Sequence, residues 1–190
     1  MTAEKISTRQ KIAAAAKNLF STHGYSQTSL DDIITAAGVT KGAFYHYFKG
    51  KEAVCEEIID LVQLEYQNVF ESVPKELNPL EKLKAVIGKL IELNNSGQWV
   101  NCKLMLRLGC QMQTLRSPLR QKIDGFWKWC FSSYLSLITQ CRESNLISDR
   151  LSAEQQTEFV VSILAANIWA KMVFDKNADW QTIDYIIEKL

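Results

Sequence analysis

The sequence predicts an all-α protein, on three observations. Its 190 residues include only three prolines and eight glycines, few helix breakers for a chain of that length. Apolar residues recur at threes and fours along most of it, the period of a helix with a buried face. Helix-start signals precede those runs: Ser29 with Asp32, Asn78-Pro79, Ser117-Pro118 and Ser152 with Gln155. Such residues satisfy orphan amides at a helix N-terminus or preset its first turn. With 47% hydrophobic content the chain can bury a substantial core. We expect a small N-terminal three-helix domain over residues 1–50 and a larger helical domain over 51–190.

The first expected helix, residues 8–23, puts Ile12, Ala15, Ala16, Leu19 and Phe20 on one face and stops at Gly24. Ser29 then opens a short helix with Leu30, Ile33, Ile34 and Ala37 as its apolar side. Gly38 ends it, because glycine takes the left-handed conformation without strain. Val39 is expected to plug the turn, and Thr40 to cap a helix running from Lys41 through Tyr47. Phe44 and Phe48 are four apart and pack inward, which turns Lys41, Tyr45, His46 and Tyr47 outward. Such a row has little use in packing and suits phosphate oxygens and base edges. A helix-turn-helix unit of this size fits the major groove of DNA.

Charge agrees with that placement. Residues 1–52 carry seven Lys or Arg against four Asp or Glu, net +3, and the rest carry 15 against 17, net −2. The surplus is small for one copy, so binding by two copies with marked salt dependence is expected.

Beyond residue 51 a long helix repeats Val54, Ile58, Leu61, Val62, Tyr66 and Phe70. Asn78-Pro79 starts a helix with Leu83, Val86, Ile87, Leu90 and Ile91 inward, ended by Asn94, Asn95, Ser96 and Gly97. A shorter helix is expected from Asn101 to Thr114, with Cys102, Met105, Leu106, Gly109 and Cys110 on one face. The next runs from Ser117 to Glu143 and aligns Ile123, Phe126, Trp127, Cys130, Phe131, Tyr134, Ile138 and Cys141. Two more follow, from Ser152 to Phe174 and from Trp180 to Leu190. Val160, Val161, Ile163, Leu164, Ile168, Trp169, Met172 and Val173 cover more of the penultimate helix than one buried stripe needs. Tyr185, Ile186 and Ile187 do the same in the last, so both helices require a covering partner, either within the chain or in a second copy. Trp99, Trp127 and Trp169 with Met105, Leu106 and Cys102 supply the flat apolar surface of an effector cavity, or of an ordinary core.

Residues 7–52 resemble the N-terminal domain of the TetR family of one-component repressors. The resemblance rests on FSTHGYSQTSLDDI, AAGVTKGAFYHYF and the KGKE that follows. It implies contacts to the DNA backbone from Thr28, Tyr45 and Lys51, with Thr40, Lys41, Gly42, His46 and Tyr47 in or near the groove. It also implies a homodimer, closed by the last two helices as a four-helix bundle, on a palindromic site in double-stranded DNA. NCKLMLRLGCQM and SILAANIWAKMVF resemble the electrophile- and oxidant-responsive subgroup of that family, where a cysteine opens one helix and a lysine follows an alanine-asparagine step. Those positions are Cys102 and Lys171, beside Asn167; Asn101 departs from the glycine that often precedes the cysteine. A nearby ammonium would favour the attacking thiolate. The alternative leaves Cys102 a small buried hydrophobe and lets Lys171 reach water, with Cys55, Cys110, Cys130 and Cys141 as packing.

Other classes fit poorly. The only histidines are His23 and His46, and no metal-ligand spacing or Gly-rich phosphate loop is present, so no enzyme, metal or cofactor is expected. Five cysteines without a CxxC pair make neither a disulfide framework nor a zinc site. No apolar run approaches the roughly 18 residues of a membrane span, and MTAEKISTRQK lacks a signal-peptide core, so a cytoplasmic location away from membranes is expected. The expected function is a repressor released from its operator when an electrophile, an oxidant or a small ligand acts on the C-terminal domain. The alternative is the same repressor gated by a reversible apolar ligand without cysteine chemistry.

Overall fold

The computed structural model describes residues 7–97, 99–111 and 117–189. In chain order the helices are α1 (Thr8–His23), α2 (Leu30–Ala37), α3 (Lys41–Tyr47), α4 (Lys51–Glu71), α5 (Pro79–Asn95), α6 (Asn101–Cys110), α7 (Ser117–Glu143), α8 (Ala153–Phe174) and α9 (Trp180–Ile187). The all-α expectation holds, and the expected starts agree with the observed caps. Ser29, Asn78 and Ser152 each accept from the backbone N–H three residues on, while Asp32, Glu81 and Gln155 reach back to the cap. Two ends differ from expectation. Helix α6 stops at Cys110, with residues 112–116, Thr114 among them, outside the described residues. Helix α9 stops at Ile187, and Leu190 also lies outside them.

The chain divides into two compact units, Met1–Gln63 with Leu104–Asp124, and Leu64–Lys103 with Gly125–Leu190. In the first, α1 packs on α2 and α3. Ile12, Ala16, Phe20, Ile33 and Phe44 are sealed where these three helices meet. Arg9 on α1 grips the Glu57 carboxylate on α4 through Nε at 2.9 Å and 3.0 Å and through its terminal nitrogen, and its guanidinium lies 5.3 Å from the Phe48 ring centre. Lys122 on α7 pairs with Asp60 on α4. Helix α4 buries Val54, Cys55, Ile58, Ile59 and Val62, whereas Leu61, expected inside, is exposed. The stripe runs through Cys55 and Ile59, so Leu61 falls beyond its edge.

The second unit is held by α5 against α9. Lys84 on α5 pairs with Asp184 and Glu188 at 2.9 Å each. The Trp180 ring closes on Gly88, where an added Cβ would sit 3.6 Å away. Asn95 both donates to the Ala178 carbonyl (3.0 Å) and accepts from its N–H (3.1 Å), pairing with backbone as another strand would. Tyr66 lies against Trp99 and Phe126, and Phe70 against Trp129 and Tyr134, with ring centres 5.0–5.6 Å apart. Helix α8 is less covered: Gln156, Thr157 and Val160 are its buried residues, and Phe159, Trp169, Val173 and Phe174 are exposed.

The α2–α3 turn yields a sharp stability test. Gly38 sits at φ 63°, ψ 37°, and a Cβ there would meet nothing within 4 Å. Gly38→Ala therefore isolates the backbone cost of a left-handed alanine, and urea unfolding should show a loss of about 1 kcal/mol. An unchanged midpoint would mean that the turn relaxes to another conformation.

Candidate nucleic-acid interface

Helix α3 is only seven residues long, too short to persist alone, so its orientation comes from its caps and its buried side. Thr40 caps it by accepting from the Ala43 N–H at 3.1 Å. Phe44 is fully buried, and Phe48 closes the far end with its ring centre 5.9 Å from that of Phe44. Burying those two rings leaves Thr40, Lys41, Gly42, Tyr45, His46 and Tyr47 exposed. Tyr45 keeps 50% of its surface in solvent and Tyr47 39%, unusual for tyrosines that serve only packing. The His46 ring lies edge-on to Tyr47 with centres 4.7 Å apart, which stiffens both. Gly42 has open space where a side chain would be, so a phosphate or a base edge could approach the backbone there. The row carries hydroxyls, an ammonium and an imidazole, a set able to donate to phosphate oxygens and to base edges.

Thr28 and Lys51, which the resemblance implies as contacts to the DNA backbone, both make hydrogen bonds within the protein. Thr28 is 2% exposed, and its hydroxyl donates to the Gly24 carbonyl at 2.8 Å. Lys51, the first residue of α4, donates to the carbonyls of Tyr25 and Thr28 at 2.8 Å each and stands 4.3 Å from the Tyr25 ring centre. Partial burial lowers its pKa. Both side chains face into the α1–α2 connection. Nearby, an open groove is lined by Leu19, His23, Gln27, Asp32 and Thr35. Its Asp32 carboxylate is held below the ordinary range by its hydrogen bonds with Ser29.

Several of the residues expected to sense an effector have partners close at hand. Cys102 is buried and shares a 3.0 Å hydrogen bond with the Tyr66 hydroxyl. Burial pushes its thiol up to about 11, against the opposing effect of that bond. Lys171 instead pairs with Asp175 one turn on, at 2.7 Å. Asn167 donates to the Ile163 carbonyl of its own helix at 2.8 Å. Trp99 donates to the Glu65 carboxylate at 2.8 Å, and the buried Asn101 donates to the same oxygen at 2.5 Å. Trp127 is half-buried; in the other unit Met105 is sealed and Leu106 half-buried. Cys110, expected as packing, is exposed at the end of α6. Sequence reasoning missed Glu65 and Asn101. An acid beside core Tyr66, and an asparagine at the start of an apolar helix, were the signals available. The Asn101 Oδ1 has no hydrogen-bond partner among the described residues. An apolar cavity lined by Ile87, Val160, Leu164, Ile183 and Ile187 holds about 10 Å³, room for about one water.

Comparison with known proteins places this geometry in a family. Residues 12–58 match the bacterial regulatory proteins of the tetR family. The chain is 32% identical over 172 residues to the HTH-type transcriptional repressor BepR of Brucella suis biovar 1, covering 88% of this chain and 82% of that one. It is 40% identical over 92 residues to the HTH-type transcriptional regulator AcrR of Shigella flexneri. That match spans 45% of this chain but only 40% of the relative's length. The fold follows that of the reduced form of NemR from E. coli, with a TM-score of 0.77, 18% identity and 95% of each chain covered.

Two measurements follow from this geometry. Adding a methyl at Gly42 meets no neighbour, so Gly42→Ala should stabilise α3 by roughly 0.5 kcal/mol yet weaken binding to DNA if the backbone approaches phosphate there. Opposite signs in urea unfolding and in DNA anisotropy are the expected pattern, and unweakened binding would remove Gly42 from the interface. The second concerns pH. The thiol of Cys102 rises from 9.0 to about 11 on burial, so the stability that goes with keeping it protonated is complete below pH 9. It is lost as pH climbs through about 11, because the unfolded chain releases that proton first. Unfolding free energy should fall across this window, and less steeply in Cys102→Ala.

Proposed function

The chain belongs to the TetR family of bacterial regulatory proteins, and we propose that it is a DNA-binding transcriptional repressor acting as a homodimer in the cytoplasm. The observation that carries this is the exposed polar and aromatic row of α3, Thr40, Lys41, Gly42, Tyr45, His46 and Tyr47, fixed over buried Phe44. In this reading residues 1–50 read DNA, and residues 51–190 dimerise and sense an effector. Two α3 helices in one dimer reach successive major grooves of a palindromic operator, and doubling a modest +3 surplus gives the salt-dependent attraction that one copy lacks.

The dimer is supported by α8. Among the described residues it is the one helix long and apolar enough to cross a membrane by length and composition, yet Glu154, Glu158 and Lys171 interrupt it. Phe159, Trp169, Val173 and Phe174 on α8, with Tyr185 on α9, stand exposed. A second copy of the same two helices would cover them. Exposed aromatics of this density are uncommon on a soluble surface that faces only water.

For the effector, a reversibly bound small molecule fits better than attack at Cys102. The thiol is buried, protonated at neutral pH and hydrogen-bonded to Tyr66, and Lys171 has its own carboxylate. A hundredfold loss of DNA affinity needs about 2.7 kcal/mol of coupling, within the range of known allosteric transitions.

The test is fluorescence anisotropy with a labelled duplex from upstream of its own gene. Saturable binding that survives excess unrelated DNA is expected, and its absence would sink the repressor reading. Trp169→Glu should convert the dimer to monomer in sedimentation and reduce operator affinity at least tenfold. A dimer that persists would show that α8 is not the interface. After brief treatment with N-ethylmaleimide, intact-protein mass and peptide mapping should show Cys110 modified and Cys102 unmodified. Rapid labelling of Cys102 with loss of DNA binding would restore the cysteine mechanism.

A further inference from the structure

The second unit carries a buried polar atom that neither packing nor the DNA-facing row employs. Asn101, the first residue of α6, is fully buried. Its Nδ2 donates to Glu65 Oε2, the oxygen that also accepts from Trp99 Nε1. A carboxylate can only accept, so this pairing fixes the amide with its nitrogen toward Glu65 and its Oδ1 turned away. That Oδ1 has no hydrogen-bond partner among the described residues. A buried acceptor left so is costly, and native proteins give it a donor from the chain, a water or a bound group. Its neighbours in the chain offer rings in place of donors. The Tyr66 hydroxyl meets Cys102 Sγ at 3.0 Å, and the Trp99 N–H is held by Glu65. The Tyr66 ring lies against Trp99 and Phe126, with centres 5.0 Å and 5.2 Å away. Trp99 is half-buried, so the cluster reaches the surface at that edge.

We propose that Asn101 Oδ1 is the polar anchor of a ligand site for a planar aromatic molecule that carries an N–H or O–H donor. The proposal rests on the reading of residues 51–190 as effector-sensing, and it names the chemistry that this domain selects. Aromatic faces and edges favour a flat apolar body, through burial and through ring contact. The acceptor then selects for a donor, because a ligand without one leaves the Oδ1 unpaired in the interior. A carboxylate or phosphate ester is disfavoured, since it brings acceptor oxygens toward an acceptor and toward Glu65. Binding of this kind involves no reaction at Cys102, whose thiol stays protonated beside Tyr66.

The probes are indole and N-methylindole, one ring system with and without its N–H donor. Isothermal titration calorimetry on the full chain without DNA gives both dissociation constants, in the parent and in Asn101→Leu. The parent is expected to bind indole about tenfold more tightly than N-methylindole, as for one hydrogen bond to a buried acceptor. In Asn101→Leu the ratio is expected to fall to about one through loss of indole affinity, with N-methylindole still bound. Equal affinities in the parent, a ratio that survives in Asn101→Leu, or no binding of either probe below about 5 mM would overturn the proposal. Should the Leu variant fail to fold, the Asn101 side-chain amide signals of the isotope-labelled parent carry the test. Indole at saturation should shift them further than N-methylindole does, and equal shifts would overturn the proposal. Anisotropy with the upstream duplex separates the two readings. If indole binds through Asn101 and DNA affinity does not change, the effector reading fails and the ligand site stands.

Discussion

Burial of Phe44 beneath α3 is the constraint on which the DNA-facing surface depends. Seven residues of helix carry too few internal hydrogen bonds to hold a direction in water. A fully buried aromatic ring, with Phe48 behind it, holds the helix by one side. Lys41, Tyr45, His46 and Tyr47 then lie exposed on the other side. The same burial needs the tight turn at Gly38, since the two short helices can share one core only if the chain turns within the three residues between them. The Thr40 cap completes the arrangement by satisfying an amide that would otherwise compete for water.

Ionic and polar contacts do a second job, which is to fix how neighbouring helices register. Arg9 to Glu57 and Lys122 to Asp60 tie α1 and α7 to α4 within the first unit. Lys84 with Asp184 and Glu188, and Asn95 with the Ala178 backbone, seat α9 on α5 within the second. Surface ion pairs of this kind add little stability individually. Their value lies in direction, because apolar packing alone tolerates sliding by part of a turn. Interior thiols follow the opposite logic. Cys55, Cys102 and Cys130 are buried, and loss of hydration holds each in its neutral form. A buried neutral thiol packs like a small apolar side chain and reacts slowly.

Helix and cap positions were legible because each rests on local chemistry. The capping boxes at Ser29, Asn78 and Ser152, the stop at Gly24 and the turn at Gly38 depend on residues within four positions of one another. The outward row of α3 was legible for the same reason: Phe44 and Phe48 define the inner side by spacing alone. Less legible were Leu61, which a threes-and-fours count places on the stripe of α4 although the buried face runs through Cys55 and Ile59, and Cys110, which shares a helical face with Cys102 yet is exposed. Periodicity gives the existence of a stripe, while its width depends on how many neighbours surround the helix.

By itself, then, the sequence determined the helical class, the helix-turn-helix with its outward residues, and family membership through motifs confined to one stretch of chain. Only the tertiary structure decided which partner each long polar side chain takes. Lys51 turns to the carbonyls of Tyr25 and Thr28, Lys171 to Asp175, Cys102 to Tyr66, and Trp99 and Asn101 converge on Glu65. Several of these pairs join residues more than twenty positions apart. A lysine's reach covers several competing acceptors, and the choice among them follows from packing that no local pattern encodes.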